Sequence, residues 1–328
     1  MDGLSLKQQL GQLVVLRFAG TELPGYVKNI LSDGWAAGAI LFADNITGPD
    51  QAKALAADIQ EAAGGDALVM TDQEGGTIRN LDWLGPQRSA PAQGSPAAVR
   101  AAHREAGAGL RDHGITVALA PVADVPVVGG SVMTGRAFSA DPKQAAARVA
   151  AAVEGLGQSQ VAATLKHFPG LGGATVNTDD GPATVDRSEE ELTGSALEPF
   201  RAGIEAGARL VMLGSARYPA LDDERIAMLS PAVVDGLLRD ELGFDGVAIT
   251  DSLEADAVTD VAEVDEAAVE MVEAGGDIAL TTGRGSWIRV FRAFEARADA
   301  SPAFRERVRE SAARVLELKR SLGLDAPG

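Results

Sequence analysis

Short apolar runs that alternate with segments of helix length limit the folds open to this chain. The eight runs lie at residues 13–18, 36–42, 67–71, 116–122, 161–168, 209–213, 247–250 and 277–281. Helices are predicted after most of them, at residues 49–63, 96–113, 142–157, 188–206, 231–242, 261–274, 286–298 and 302–322. Strands that are apolar on both faces and alternate with helices are typical of parallel sheets. Eight such units predict a closed (β/α)8 TIM barrel, with residues 1–328 as a single domain.

An open, doubly wound sheet is the alternative fold. Sheets of that kind normally carry a Gly-rich phosphate-binding turn after an early strand. The nearest candidate, Gly75 and Gly76 after the third run, lacks the required glycine spacing. No long linker or break in composition divides the chain, which favours a single barrel.

The charge and composition exclude several classes of function. The net charge of -18 argues against nucleic acid and anionic membranes as partners. The absence of cysteine excludes disulfides and thiolate sites, and a count of only three His argues against a His-rich zinc site. No run of about 18 apolar residues could span a membrane. The N-terminal residues lack the basic start and apolar run of a signal peptide, which predicts a cytoplasmic protein. A secreted protein that had lost its export signal would show the same features.

Ionisable residues follow nearly every predicted strand. In TIM barrels the chemistry lies at the C-terminal ends of the strands, so these side chains are expected to converge. The densest stretch is residues 164–181, where an apolar strand ends in Lys166 and His167 and a Gly-rich loop contains Asp179 and Asp180. A cation, an imidazole and two carboxylates at such a junction predict an active site. The other strand-end candidates are Asp72, Glu74, Asp124, Arg136, Asp251 and Glu254.

This carboxylate-rich set suits two kinds of chemistry. One is a Mg²⁺ or Ca²⁺ site, although Lys166 and Arg136 would compete with a bound metal. The other is glycoside hydrolysis, in which one carboxylate attacks the anomeric carbon and a second group protonates the leaving oxygen. The low aromatic content of 4% argues against a long polysaccharide cleft and suits a pocket for one terminal sugar. Asp251 is the candidate nucleophile, kept ionised by a nearby Lys or Arg. Its alternative role is to cap the following helix.

Four motifs together resemble glycoside hydrolase family 3, and in particular its single-domain β-N-acetylglucosaminidases of peptidoglycan recycling. The resemblance covers about residues 5–260 and implies a TIM-barrel retaining exo-hydrolase that forms a covalent glycosyl-enzyme and needs no cofactor or metal. By position it implies Asp251 as the nucleophile and Asp72, Arg136, Lys166 and His167 as the residues that hold the terminal sugar. The motifs are Asp72-Gln73-Glu74-Gly75-Gly76, Gly135-Arg136-Ala137-Phe138, Lys166-His167-Phe168-Pro169-Gly170 with Gly172, and Leu242-Gly243-Phe244-Asp245-Gly246-Val247 before Thr250-Asp251.

The acid/base loop departs from the family pattern. The recycling enzymes usually read Lys-His-Phe-Pro-Gly-His-Gly and then Asp-Ser-His, whose His is the acid/base. Here Leu171 replaces the first loop His, and Asp179 stands where the catalytic His would be. His103 and His113 are predicted to be structural because they lie on or at the end of a helix. The family Arg after the Gly-Gly pair is also missing, since that position is Thr77 and Arg79 lies two residues on.

Three alternatives follow for this loop. Asp179 acts as the acid/base with a raised pKa, Asp180 serves from a shifted loop, or the site binds sugar with poor turnover. The loop glycines suit a flap that closes over the substrate, and a closed retaining pair is expected to lie about 5–5.5 Å apart.

The resulting prediction is a retaining exo-β-N-acetylglucosaminidase (a β-N-acetylhexosaminidase) that turns over cell-wall muropeptides or chitooligosaccharides. The alternatives are a β-glucosidase or xylosidase of the same family and a sugar-binding barrel with impaired catalysis. The natural leaving group stays open. The predicted partner is a small sugar substrate, with no nucleic acid or membrane. The predicted oligomeric state is a monomer, because the apolar spacing of residues 302–322 suits packing on the barrel.

Overall fold

The computed structural model describes residues 3–325 and contains a ring of eight parallel strands, β1 to β8 in chain order. Each strand pairs with its neighbours in sequence, and β1 pairs with β8. A parallel bridge between Ile249 and Ile278 joins β7 to the start of β8, so the ring is closed and the predicted TIM barrel is confirmed. The strands are Val14–Leu16, Gly38–Ile40, Leu68–Thr71, Val117–Ala118, Ala162–Phe168, Leu210–Leu213, Val247–Thr250 and Ala279–Thr281.

The helices agree with the predicted positions, with three additions. Leu6–Gly11, Gly25–Ser32 and Asp256–Thr259 were not predicted, because helices of 6, 8 and 4 residues are too short to show a clear apolar period. The segment predicted as one helix at 188–206 is divided by a π-helix, Leu192–Ala196. No helix within residues 3–325 has the length and apolarity to cross a membrane. The remaining helices are Pro49–Ala62, Pro96–Asp112, Pro142–Gly157, Glu189–Glu191, Glu198–Glu205, the π-helix Ala232–Glu241, Val264–Glu273, Ser286–Ala300 and Pro302–Ser321.

The predicted fourth strand is shorter than expected. The apolar run at residues 116–122 contains only Val117–Ala118 as regular strand, followed by a bridge between Val122 and Lys166. Pro121 interrupts the ladder because proline has no backbone N–H to donate. The chain still continues toward the mouth of the barrel and delivers the residues after Val122 to the site.

Alternate residues of the strands fill the inside of the barrel. Their side chains are buried and form one apolar cluster with Val315 and Leu318 of the last helix and with Leu322, which follows it. The last helix therefore covers the N-terminal end of the barrel, while the opposite end stays open. The strand members of this interior cluster include Val15, Ile40, Met70, Leu119, Met212, Ile249 and Leu280.

A buried carboxylate ties the last helix to the barrel wall. Asp277, which precedes β8, is fully buried. It accepts hydrogen bonds from Arg239 at 2.6 Å, Arg307 at 3.0 Å and Arg314 at 3.2 Å, and from the Ser311 hydroxyl at 2.8 Å. We call these five residues the Asp277 cluster. Three of them come from Pro302–Ser321, so the cluster fixes where this helix docks.

Candidate active site

A cavity of about 440 Å³ lies at the C-terminal ends of the strands. Its floor is apolar, since Ile40, Leu119, Met212 and Leu280 close the barrel interior beneath it. The six residues that were given catalytic or sugar-binding roles all line this one cavity, as barrel topology requires if the strand ends carry the chemistry. Their individual roles stay predictions. These residues are Asp72, Arg136, Lys166, His167, Asp179 and Asp251. Of the other candidates, Glu74 lines the cavity as well, whereas Asp124, Asp180 and Glu254 do not.

A network of alternating charges forms one wall of the cavity. The Lys166 ammonium lies 2.7 Å from Asp72 and 2.7 Å from Glu74. Arg136 donates two hydrogen bonds to Glu74, at 3.0 and 2.6 Å. The Lys166 side chain is only 3% exposed, whereas Asp72 keeps 23% exposure toward the cavity. The buried charges are thus mutually compensated, and Asp72 remains available to accept hydrogen bonds from a ligand.

The network keeps Glu74, Lys166 and Arg136 ionised despite burial. Burial opposes ionisation of Glu74, but the positive charges of Lys166 and Arg136 outweigh it and lower the pKa of Glu74 to about 2. Burial also favours neutral Lys166, yet the charges of Asp72 and Glu74 raise its pKa above the usual value. The pKa of Arg136 is raised as well: burial opposes this, and its hydrogen bonds to Glu74 prevail.

Glu74 is the site residue whose role the sequence analysis missed. It was noted among the strand-end carboxylates, but no function was assigned to it. The structure places it in a short hairpin, Gln73–Gly75 with Ile78–Arg79, that folds back into the cavity wall. The available signal was its position two residues after Asp72, which directs both carboxylates to the same face of an extended segment.

We expect Glu74→Gln to lower the free energy of unfolding by about 3 kcal/mol near neutral pH, because Lys166 and Arg136 lose a shared buried partner. The pKa of Glu74 is about 2 in the folded protein, against a usual value of 4.5. Its ionisation therefore stabilises the fold fully at pH values above the usual pKa. That contribution is lost as the pH falls toward the folded value. The difference between native and variant should therefore shrink by about pH 3. Urea unfolding near neutral pH and at about pH 3 measures this difference in stability.

The control for this prediction is Glu190→Gln, which replaces an exposed glutamate on the surface. We expect it to change stability by less than about 0.5 kcal/mol. An equal loss of stability at both pH values for Glu74→Gln would contradict the assigned ionisation.

A second buried carboxylate orients His167. Asp124 is fully buried and accepts hydrogen bonds from the backbone N–H of His167 at 3.2 Å, from the N–H of Leu171 at 2.6 Å and from His167 Nδ1 at 2.8 Å. Because a carboxylate only accepts hydrogen bonds, Nδ1 carries the hydrogen of this bond and Nε2 is the ring nitrogen left for a ligand. The peptide bond between Lys166 and His167 is cis, and both side chains line the cavity.

Leu171, the residue that replaces the family's first loop His, is part of this arrangement. Its side chain is buried and lines the cavity, and its N–H is held by Asp124. The next residue, Gly172, runs so close to the chain after Val122 that a Cβ there would lie 1.8 Å from the Val125 carbonyl oxygen. Only glycine fits at this position, so the start of the loop is firmly packed.

Asp251 follows β7 directly and projects into the cavity. Its N–H donates to the Leu213 carbonyl at 3.0 Å, and its Oδ1 accepts from the N–H of Ser252 at 2.8 Å. The following helix, Asp256–Thr259, has Ala255 at its N-cap. The alternative in which Asp251 caps this helix is therefore wrong, and its carboxylate is available for chemistry.

The loop that carries Asp179 is docked against the segment after β7. The carbonyls of Thr178 and Asp179 accept hydrogen bonds from the N–H groups of Ala257 at 3.1 Å and Asp256 at 3.4 Å. Partial burial, followed by the negative charge of Asp251, raises the pKa of Asp179. Both aspartates are exposed, but Asp179 lines the cavity and Asp180 does not, so this geometry favours Asp179 over its neighbour.

The remaining histidines lie outside the cavity. His103 is buried on Pro96–Asp112, where its Nε2 lies 3.1 Å from Gln93 Oε1, and burial lowers its pKa to about 4. His113 ends the same helix, with its Nδ1 2.7 Å from the Gly109 carbonyl oxygen. Both positions fit the predicted structural roles.

Residues 5–318 match the family described as Glycosyl hydrolase family 3 N terminal domain. The chain belongs to glycosyl hydrolase family 3. As a member of family 3 it is a glycoside hydrolase, and its substrate is a sugar.

Relatives within family 3 share most of the barrel. A protein named Beta-hexosaminidase from Stenotrophomonas maltophilia is 34% identical over 278 residues, which cover 82% of each chain. A β-N-acetylglucosaminidase of family 3 from Paenibacillus has a solved structure with a TM-score of 0.93 and 33% identity. The alignment covers 99% of this chain but 64% of that one. A β-N-acetylhexosaminidase structure from Beutenbergia cavernae has a TM-score of 0.90 and 31% identity, over 98% of this chain and 100% of that one.

Proposed function

We propose that this family 3 hydrolase is a retaining exo-β-N-acetylglucosaminidase that removes a terminal N-acetylglucosamine. One observation carries the proposal. Asp251 and Asp179 face the same cavity, and the charge of Asp251 helps to raise the pKa of Asp179. A retaining glycosidase needs this pairing, with one carboxylate ionised as nucleophile and the other protonated as acid.

The proposed reaction uses the two carboxylates in two steps. In the first, an Asp251 oxygen attacks the anomeric carbon while the bond to the leaving oxygen breaks, and Asp179 gives its proton to that oxygen. In the second, the Asp179 carboxylate takes a proton from water, whose oxygen attacks the anomeric carbon and releases Asp251. Asp179 ends protonated, so each cycle restores the starting state.

The charged wall is proposed to hold the terminal sugar. Asp72 accepts hydrogen bonds from sugar hydroxyls, and Lys166 and Arg136 donate to sugar oxygens. His167, oriented by Asp124, presents Nε2 to the same ring. Such opposed donors and acceptors fix a polyol in one orientation. The names of the relatives support N-acetylglucosamine as this sugar.

The cellular role is a further part of the proposal. We propose that the protein acts as a monomer on muropeptides or chitooligosaccharides, in the cytoplasm or outside the cell if it is exported. No cofactor or metal takes part in the proposed steps. Within residues 3–325, no three His, Asp or Glu side chains are grouped so as to hold a metal ion.

Hydrolysis of aryl and alkyl β-N-acetylglucosaminides by native protein and Asp179→Asn tests this function. Because the acid must be protonated, native kcat/KM should fall as the pH rises through the raised pKa of Asp179. Asp179→Asn should lose this basic limb. It should also lose about 10²–10⁴-fold in activity on an alkyl glycoside, whose leaving group needs protonation. The loss should be much smaller on a dinitrophenyl glycoside, whose leaving group does not.

Asp180→Asn is the matched control, since it changes the adjacent, exposed carboxylate. We expect it to keep the native pH profile and the native dependence on the leaving group. The assignment fails if Asp180→Asn, rather than Asp179→Asn, shows the loss. Native protein that binds the sugar but hydrolyses none of these glycosides would instead identify the impaired sugar-binding barrel.

A further inference from the structure

A second cavity adjoins the catalytic one at the mouth of the barrel. It has a volume of about 390 Å³ and shares Thr282 with the catalytic cavity. The Thr282 hydroxyl lies 2.5 Å from that of Ser252, the residue after Asp251. Glu254 accepts hydrogen bonds from the N–H of Thr282 at 2.7 Å and from its hydroxyl at 2.8 Å. The boundary between the two cavities is therefore firmly held and lies next to the proposed nucleophile.

Two arginines line this second cavity. Arg17 pairs with Asp44 at 2.8 Å and stacks over the ring of Phe42, with 4.6 Å between guanidinium carbon and ring centroid. Phe42 itself lines the catalytic cavity, which is a second point of contact between the two spaces. Arg284 is exposed, and no carboxylate of residues 3–325 lies within 4 Å of its guanidinium.

The charges of the lining leave the second cavity with an excess of one positive charge, because Asp44 offsets Arg17 and nothing in the lining offsets Arg284. This is notable on a chain whose net charge is -18. The same cavity exposes an aromatic ring, since Tyr26 is 60% exposed and lies on its rim. A cation beside an exposed ring is suited to a ligand that has a flat or apolar body and an anionic group.

We propose that the second cavity binds the leaving group of the substrate and selects one that carries a carboxylate. This inference rests on the proposed function, because an exo-hydrolase with a terminal sugar in the catalytic cavity must place the rest of its substrate at the mouth. Arg284 pairs with the carboxylate, and Tyr26 contacts the body of the leaving group.

Two matched glycosides test this selectivity: the β-N-acetylglucosaminides of 4-hydroxyphenylacetic acid and of its neutral amide. They differ in one charge and have similar leaving oxygens. We expect native kcat/KM to be about three- to fivefold higher for the acid, as suits a partly exposed ion pair. The preference for the acid over the amide should disappear in Arg284→Gln. It should also weaken at about 0.5 M NaCl, because salt screens exposed charges.

Arg292→Gln is the matched control, since it removes an exposed arginine on the helix that follows the second cavity. We expect it to keep the native preference for the acid. Equal rates on the two glycosides with native protein, or an unchanged preference in Arg284→Gln, would overturn the inference.

A binding measurement separates this inference from the proposed function. If native protein hydrolyses neither glycoside, the proposed function fails, and the sulfur-linked analogues of the same pair are titrated calorimetrically instead. Tighter binding of the acid that is lost in Arg284→Gln supports an anion-selective second cavity even then. Equal binding of both analogues rejects it.

Discussion

Replacing Asp251 with Asn is expected to reduce hydrolysis of an aryl β-N-acetylglucosaminide by about 10⁴-fold or more, the scale of loss when an enzyme is deprived of its nucleophile. Asparagine preserves the shape of the side chain but cannot form the glycosyl ester. The backbone N–H of residue 251 still donates to Leu213, so the local structure should persist. Initial rates with a 4-nitrophenyl glycoside measure the effect.

Two further variants make the Asp251 experiment specific. Asp260→Asn changes an exposed aspartate on the same connection after β7 and should leave the rate unchanged. Asp251→Gly leaves room for azide, which should restore cleavage and give a glycosyl azide of inverted configuration, because a single displacement inverts the anomeric centre. If Asp251→Asn keeps more than about a tenth of the native rate, Asp251 is not the nucleophile.

Asp277→Ala is expected to lower the free energy of unfolding by about 3–5 kcal/mol, the usual cost of removing one partner from a buried ionic group. Three arginines of the Asp277 cluster would lose their shared carboxylate, and the backbone N–H of Ala248 and the hydroxyl of Ser311 would lose an acceptor. Urea unfolding followed by circular dichroism measures the change. Asp277→Asn should cost less, since it retains an acceptor for part of the network.

Glu310→Ala is the matched control for the Asp277 cluster. Glu310 also pairs with Arg307, at 2.6 Å, but its side chain is 54% exposed. Pairs of this kind contribute at most about 1 kcal/mol, so the control should be nearly as stable as the native protein. Comparable losses for Glu310→Ala and Asp277→Ala would show that burial of the carboxylate is not what matters.

The barrel was predictable because its signal is local. Each strand is a short apolar run and each long helix has its own period, so the order of elements could be read without knowing which residues touch. The convergence of Asp72, Lys166 and Asp251 followed from topology alone, since parallel strands deliver their C-terminal ends to one face.

Other parts of the site depend on contacts between distant residues, so the sequence analysis assigned them no role. Glu74 and Asp124 become site residues only when buried beside Lys166, Arg136 and His167, which the chain order does not reveal. The same holds for the Asp277 cluster and for the second cavity, whose residues come from several separate connections.

The pairing of β1 with β8 closes the ring and brings the walls of the second cavity together. This seam joins the first and last strands of the ring, as in the pair Val14 and Ala279, and contacts so distant in sequence carry the largest closure entropy. The walls of the second cavity lie on the two sides of this seam, with Arg17 after β1 and Arg284 after β8. The residues of the charged wall and Asp251 belong instead to β3 to β7 and the connections after them. Opening of the ring at this seam would separate the walls of the second cavity, because Arg17 and Arg284 lie on its two sides.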